Sequence, residues 1–457
     1  MRLGLFAICF LLMGSIFWGC APIEIKSNEA HLGAKDSSSV LTVEKYPFAK
    51  DYEKAYHYRS QSPNAQIIEF LGNAEKDSLR QNNPVEYLRA LSEMIDSSAK
   101  ESFEKVKMAY DATALLLHYD IERINRQDIF DQGWEDVLIS KKAVCEGYAS
   151  LFKKICDLLN IPCEKVHGYA RTGFAPLSSK EDLAPNHAWN IVQIGDFWYN
   201  VDCTWGSGYI ESQTYTRQYN TEWLFINGDH FRYTHFPLDS NYQLATPKIN
   251  QDQFKALPRL DPIFFDKFKK ISSLKSVNEV DSVFTMTIYE KEKIDAHVSF
   301  YELSQNKIIE NKVWETQDND SMTIAFQAPF SGMFLGTIMI RTEENVYRSS
   351  AYFFVHVKKP SSVQYPILLH SSAKDFQIES PLVALQPDST YDFKVKISNK
   401  KHVLLYCNGK HNQLNPQGNG FFSKKVKIPH DAKEIILEVS DSEYGEYEGL
   451  AKFLIRD

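Results

Sequence analysis

Two runs rich in β-branched and aromatic residues, His187–Ile194 and residues 197–205, are separated by Gly195-Asp196 alone. A two-residue connection of this kind predicts a β-hairpin. A hairpin constrains the chain strongly, because slipping its register by one residue turns every side chain to the other face. With this turn Trp189 faces Asp202 and His187 faces Thr204. His187 and Asp202 then share one sheet face as diagonal neighbours, about 7–8 Å apart at the backbone and within reach of long or aromatic side chains.

Upstream of the hairpin the apolar period is helical. Val85, Leu88, Leu91 and Ile95 recur at spacings of three and four, as do Phe103, Val106, Ala109 or Tyr110, Ala114 and Leu117. Another helix is expected within residues 140–160. Tyr148, Leu151, Phe152, Ile155, Leu158 and Leu159 form its stripe, and Asn160-Ile161-Pro162 ends it. Cys145 lies at or near its start, where unpaired N–H groups and the positive end of the helix dipole favour a thiolate. The thiolate is the nucleophilic form. If Asp202 accepts from one imidazole nitrogen of His187 and the other nitrogen faces Cys145, the three stand as nucleophile, base and orienter.

Past about residue 250 the helical period fades. Phe284, Met286 and Ile288 alternate with polar residues, as do Ile324 and Phe326, and Ile338 and Ile340; residues 352–357 close the set before Pro360. A second set follows with Phe393, Val395 and Ile397, then residues 403–407, Val426 and Ile428, residues 435–439 and residues 453–455. Short strands at this spacing predict two β-sandwich modules of about 100 residues each. The 29 Phe, 24 Tyr and 7 Trp suit such pleated, half-buried surfaces.

At the N-terminus Arg2 precedes an uncharged apolar run, residues 3–18, which is short for a bilayer span of about 20 residues. Gly19-Cys20 and a polar stretch come next, and residues 28–45 show no apolar period. The N-terminal pattern resembles a bacterial lipoprotein signal. That resemblance implies a lipid on Cys20, a chain facing the periplasm or exterior of a bacterial cell envelope, and a membrane contact through the anchor. The expected division is a signal over 1–20, a flexible tether over 21–48, a catalytic domain over 49–250, and β-sandwich modules over 251–360 and 361–457. With 51 Lys plus Arg against 59 Asp plus Glu, the net charge of −8 gives no pull on phosphate backbones, so no nucleic-acid partner is expected.

Three segments carry a further resemblance: Val144-Cys145-Glu146-Gly147-Tyr148-Ala149, His187-Ala188-Trp189-Asn190, and Asp202-Cys203-Thr204-Trp205-Gly206. In this order they resemble the transglutaminase-like superfamily. Residues 223–226, His235-Phe236-Pro237-Leu238-Asp239 and residues 242–244 look like the subfamily named for kyphoscoliosis peptidase. The implied fold is α+β, a papain-like or transglutaminase-like core domain followed by two all-β sandwich modules. The implied site has Cys145 as nucleophile, His187 as general base and acid, and Asp202 as orienter, with the Cys145 N–H in an oxyanion hole. The implied reaction is attack on an amide or acyl carbonyl of a protein or peptide to give a thioester. Water then completes hydrolysis, the favoured outcome, or an amine completes transfer as in a cross-linking transglutaminase. A catalytically inactive cell-surface scaffold is the alternative from another class, and the β modules suit a protein or glycan partner.

Taken singly, these residues have plainer readings. A cysteine in a helix is commonly a core residue, a strand histidine is commonly a satisfied one, and an aspartate can simply cap a turn. Trp189, Trp205 and Tyr169 read as packing around the site. Cys156 and Cys163 are seven apart with no paired C-x-x-C, and His230 and His235 read as supports of the fold, so neither a metal site nor a cofactor is expected. A Cys163–Cys203 bridge is compatible with export.

Overall fold

A computed structural model describes residues 46–50, 52–126, 132–173, 175–177, 181–304, 307–309, 313–318, 320–342, 346–360, 365–369, 376–397, 400–442 and 446–456. The expected signal with Cys20, and the expected tether up to residue 45, lie outside the described residues. Among the described residues no helix is long and apolar enough to cross a membrane. The chain divides into two compact units between Lys255 and Ala256.

In the first unit, helix Pro84–Ser98 starts where the sequence signals it, with Pro84 in its first turn and the Asn83 side chain accepting the Glu86 N–H at 3.1 Å. It buries Leu88, Leu91 and Ile95. Helix Ser102–Leu116 is buried almost all round, as suits the central rod of a helical layer. Helix Cys145–Leu158 buries Tyr148, Leu151, Phe152 and Ile155; Asn160 then turns left-handed (φ 55°) and the Ile161 N–H closes on the Cys156 carbonyl at 2.9 Å.

These helices accompany a five-stranded antiparallel sheet. Its strands are β1 (Cys163–Ala170), β2 (His187–Ile194), β3 (Phe197–Val201), β4 (Leu224–Ile226) and β5 (His235–Pro237), in the order β4-β3-β2-β1-β5. The β2–β3 hairpin has the register that Gly195-Asp196 predicts, pairing Ile194 with Phe197 and Asn190 with Val201. The strand expected through residue 205 stops at Val201, however. The Asp202 side chain accepts the Trp205 N–H at 3.0 Å, and Cys203–Ser207 coil into one helical turn. A capping aspartate outcompetes further pairing here. Tyr46–Phe48, assigned by sequence to the end of the tether, dock on this sheet. Tyr46 packs on Trp198 and Tyr242, and the Pro47 carbonyl accepts the Trp198 N–H at 2.8 Å.

The second unit holds two β-sandwiches. In the first, Tyr347–Val357 and Gly332–Arg341 form the centre of one sheet, and Val283–Glu290 and Ser321–Gln327 that of the other. Phe300 and Phe326 stack at 3.9 Å in its core. In the second, Ile435–Ser440 and His402–Cys407 belong to one sheet, and Thr390–Ile397 and Phe421–Lys427 to the other. Phe393, Val395, Leu405, Leu437 and Phe453 fill the space between.

Candidate active site

Cys145 is the first residue of its helix and is 8% exposed. The preceding Val144 is extended (φ −90°, ψ 178°) and offers no side-chain cap. The Gly147 and Tyr148 N–H groups return to the Val144 carbonyl at 3.0 and 3.2 Å. Among the described residues, those of Cys145 and Glu146 have no acceptor, so the helix start keeps donors beside the sulfur.

Buried Gln132 grips the backbone leading to the thiol. Its Oε1 accepts the Val144 N–H at 2.9 Å, and its Nε2 donates to the Lys142 carbonyl at 3.2 Å. Gly147 permits this approach: a Cβ there would stand 2.5 Å from Gln132 Oε1 and 2.6 Å from Val137 Cγ2. One residue past the thiol, Glu146 pairs with Lys165 of β1 and accepts from His167 Nε2 at 2.9 Å, tying the helix start to the sheet. The Asn190 side chain adds a bond from β2 to the Ala149 carbonyl at 3.1 Å.

His187 opens β2 and is buried. Its Nε2 donates to Asp202 Oδ2 at 2.7 Å, and the Cys145 thiol is among the groups that act on the ring. With Nε2 spent on Asp202, Nδ1 is the nitrogen left for the sulfur. Burial opposes charge on this imidazole, but the Asp202 carboxylate overcomes it by charge and hydrogen bond, with a smaller part from Cys145. The imidazolium is pushed up to about 10. Asp202 is itself buried, which disfavours its charge, yet His187 and His235 hold it well below the usual carboxylate range. The structure thus brings together all three residues that the motifs single out.

It also brings a fourth, His235, which the sequence reading assigned to fold support. His235 Nε2 lies 3.2 Å from the same Asp202 Oδ2, and its Nδ1 is 2.9 Å from Thr234 Oγ1. The ring stacks on Phe231 at 3.9 Å and packs on Trp205 at 4.6 Å. β5 reaches this place by pairing with β1, His235 opposite Ala170 and Pro237 opposite Gly168. A Cβ on Gly168 would stand 2.3 Å from the Phe236 carbonyl oxygen, so only glycine admits the strand. The sequence signal for His235 is its place in the His235-Phe236-Pro237-Leu238-Asp239 segment, which assigns the histidine no role. Gln132 carried no motif at all.

Trp189 and Trp205 flank the His187 ring at 6.2 and 5.6 Å, and Tyr169 meets Phe254 edge-on, so all three pack as the sequence reading expects. The described cysteines are free, and no Cys163–Cys203 bridge forms. Burial pushes the Cys156 and Cys203 thiols well up, which keeps them inert. One ligand-capable atom from each of His187, Asp202 and His235 lies within 4.8 Å of the others. These atoms are spent on hydrogen bonds to one another, and we assign no metal to them.

A family model described as the transglutaminase-like superfamily matches residues 89–203, a span that holds Cys145, His187 and Asp202. The first unit carries a transglutaminase-like domain. Kyphoscoliosis peptidase of Mus musculus is 30% identical over 171 residues, covering 36% of this chain and 26% of its own. The Homo sapiens protein of that name is 31% identical over the same length and shares. The chain therefore spans about a quarter of the length of these curated relatives. A solved structure described as a TGase shares 22% identity over 36% of this chain and 40% of its own, at a TM-score of 0.21. His235 lies beyond the family-matched span.

Proposed function

We propose that the transglutaminase-like domain is a thiol enzyme that cleaves amide or acyl bonds of protein or peptide substrates. The observation that carries this reading is the place of His187, bonded to Asp202 at 2.7 Å and acted on by Cys145 at the start of its helix. The Cys145 sulfur attacks the carbonyl carbon, and the Cys145 N–H donates to the developing oxyanion. His187 gives its proton to the leaving amine as the C–N bond breaks, leaving a thioester. Water then attacks, His187 takes its proton, and the carboxylate leaves as the thiol re-forms. Hydrolysis is favoured over transfer to an amine, in keeping with the likeness to kyphoscoliosis peptidase over this domain. We further propose that Cys20 anchors the chain to a bacterial membrane facing the periplasm or exterior, and that the β-sandwiches hold a protein or glycan partner.

A thiol-directed probe near neutral pH tests the chemistry. Cys145 in the folded protein should react far faster than in denatured protein, and His187→Ala should abolish the preference. An unreactive Cys145 in folded wild type would overturn the enzyme reading and favour a scaffold. Incubation with a glutamine peptide and a primary amine, read by mass spectrometry, separates cleavage from amine incorporation.

A further inference from the structure

We propose that His235 is a positioning residue of this site: by donating its Nε2–H to Asp202 beside His187, it draws charge from the carboxylate and keeps the His187 imidazolium ready to release its proton. The proposal rests on the reading of Cys145 as nucleophile and deepens it.

The hydrogen-bond inventory leads there. A carboxylate only accepts, so both imidazoles near Asp202 Oδ2 must donate to it. Oδ1 takes the Trp205 N–H, so the carboxylate is fixed by three donors on two oxygens. A neutral histidine has one N–H. Placing it on Nε2 of His235 makes Nδ1 an acceptor for the Thr234 hydroxyl at 2.9 Å, the shorter of that hydroxyl's two contacts, the other being the Phe231 carbonyl at 3.1 Å. Phe231, Trp205, Trp189 and Trp223 enclose the ring and hold it in plane. His187 is faced by Asp202, His235 and Cys145 together with the Trp189 and Trp205 rings. The groups that act on Asp202 from the helical layer and the turn beside it are Tyr110 and Cys203, whose own ionisation burial suppresses.

The consequence is chemical. A buried carboxylate that served His187 alone would hold the imidazolium more firmly. An imidazolium held too firmly still supports the thiolate, but supplies too little neutral base to take the proton from water in deacylation. His235 therefore matters for the second half of the reaction more than for the first.

The test uses the full chain with p-nitrophenyl acetate, whose burst reports acylation of Cys145 and whose steady state reports deacylation. His235→Phe keeps the aromatic stack and removes the donor, and His235→Gln restores an N–H at about the Nε2 position. At neutral pH the Phe variant should keep its burst rate within about twofold. Its steady state should fall about tenfold, the effect of one pKa unit in the base, with KM falling in parallel and acyl-enzyme visible by intact mass. The Gln variant should recover most of the loss. Thr234→Val, which frees the tautomer, should shift the same way by less and serves if the Phe variant does not fold. NMR titration of the His187 imidazole should move to higher pH in the Phe and Val variants.

Loss of burst and steady state together, equal loss in the Phe and Gln variants, or an unmoved His187 titration in a folded variant would each overturn the proposal. If wild-type Cys145 gives no burst, the enzyme reading fails instead, and the NMR titration still decides the role of His235.

Discussion

Gln132 Oε1 accepts the backbone N–H of Val144 at 2.9 Å, one residue before the candidate nucleophile. This bond and the one from Gln132 Nε2 to the Lys142 carbonyl fix the path by which the chain enters the helix, and with it the direction of the Cys145 sulfur. Gln132→Ala leaves the Val144 N–H buried and unpaired, which costs about 1–3 kcal/mol. Cys145 labelling should slow while the fold persists, as circular dichroism and urea midpoints would record. Unchanged labelling in a destabilised variant would confine Gln132 to stability.

Gly147 bears on the same contact from the other side. Gly147→Ala drives a methyl group to within 3 Å of Gln132 Oε1, Val137 Cγ2 and Ala143 Cβ. Overpacking of this kind costs about 1–3 kcal/mol. Because the methyl displaces Gln132, the variant should lose labelling as Gln132→Ala does, and the double variant should lose less than the sum. Strict additivity in a double-mutant cycle would show that the two act independently.

How much of this site is legible in the sequence depends on how locally each residue is placed. The hairpin turn sets the register that brings His187 and Asp202 to one face, and the stop signal after Leu158 marks the end of the Cys145 helix. His235 is brought in by β5, which closes on β1 from more than sixty residues downstream, and no turn or period announces such pairing. Gln132 is equally silent, since its role is two side-chain bonds to backbone ten and twelve residues along the chain. Asp202 was read correctly as a neighbour of His187, but its capping of Trp205 ended the strand sooner than β-propensity alone suggests. In the sandwiches alternation reveals the strands, whereas their non-sequential order within each sheet comes from packing between layers.

Asp202→Asn tests the orienter directly. The amide cannot accept from two imidazoles with the strength of a carboxylate, and burial is then opposed on His187 only by the smaller influence of Cys145. The imidazole should lose its proton at much lower pH. Labelling of Cys145 near neutral pH should fall by about 10²–10⁴-fold, the usual contribution of a positioned acid–base group. Wild-type labelling by a folded Asp202→Asn protein would remove Asp202 from the mechanism.

Away from the site, Lys107 and Asp111 form a buried ion pair in helix Ser102–Leu116, with Nζ at 2.8 and 2.7 Å from the two carboxylate oxygens. Asn64 N–H and Tyr219 also donate to Asp111. Asp111→Ala strands a buried ammonium and should cost about 3–5 kcal/mol. The double change Lys107→Met with Asp111→Leu should cost far less, because no charge is left unpaired. Urea denaturation of the single and double variants measures both, and equal losses would contradict the account.

The raised His187 also predicts how stability follows pH. In a Cys145→Ala background no thiol exchanges protons with the ring, and the Asp202 carboxylate, by charge and hydrogen bond the stronger raising influence, is expected to keep the imidazolium favoured. The folded pKa then exceeds the unfolded value of about 6.5, so above that pH the native state binds more protons than the unfolded one. Stability from this group is complete below pH about 6.5 and is lost as pH rises through its raised folded value. The slope is at most about 1.4 kcal/mol per pH unit for one proton. Asp202, held below its usual range, acts with the opposite sign: its contribution is present above pH about 3.9 and is lost as pH falls through its lower folded value. Urea midpoints between pH 5 and 10, taken in steps of about half a unit, should decline on the alkaline side in Cys145→Ala. The decline should vanish when Asp202→Asn is added. Parallel curves for the two proteins would mean that His187 is not held as an imidazolium by Asp202.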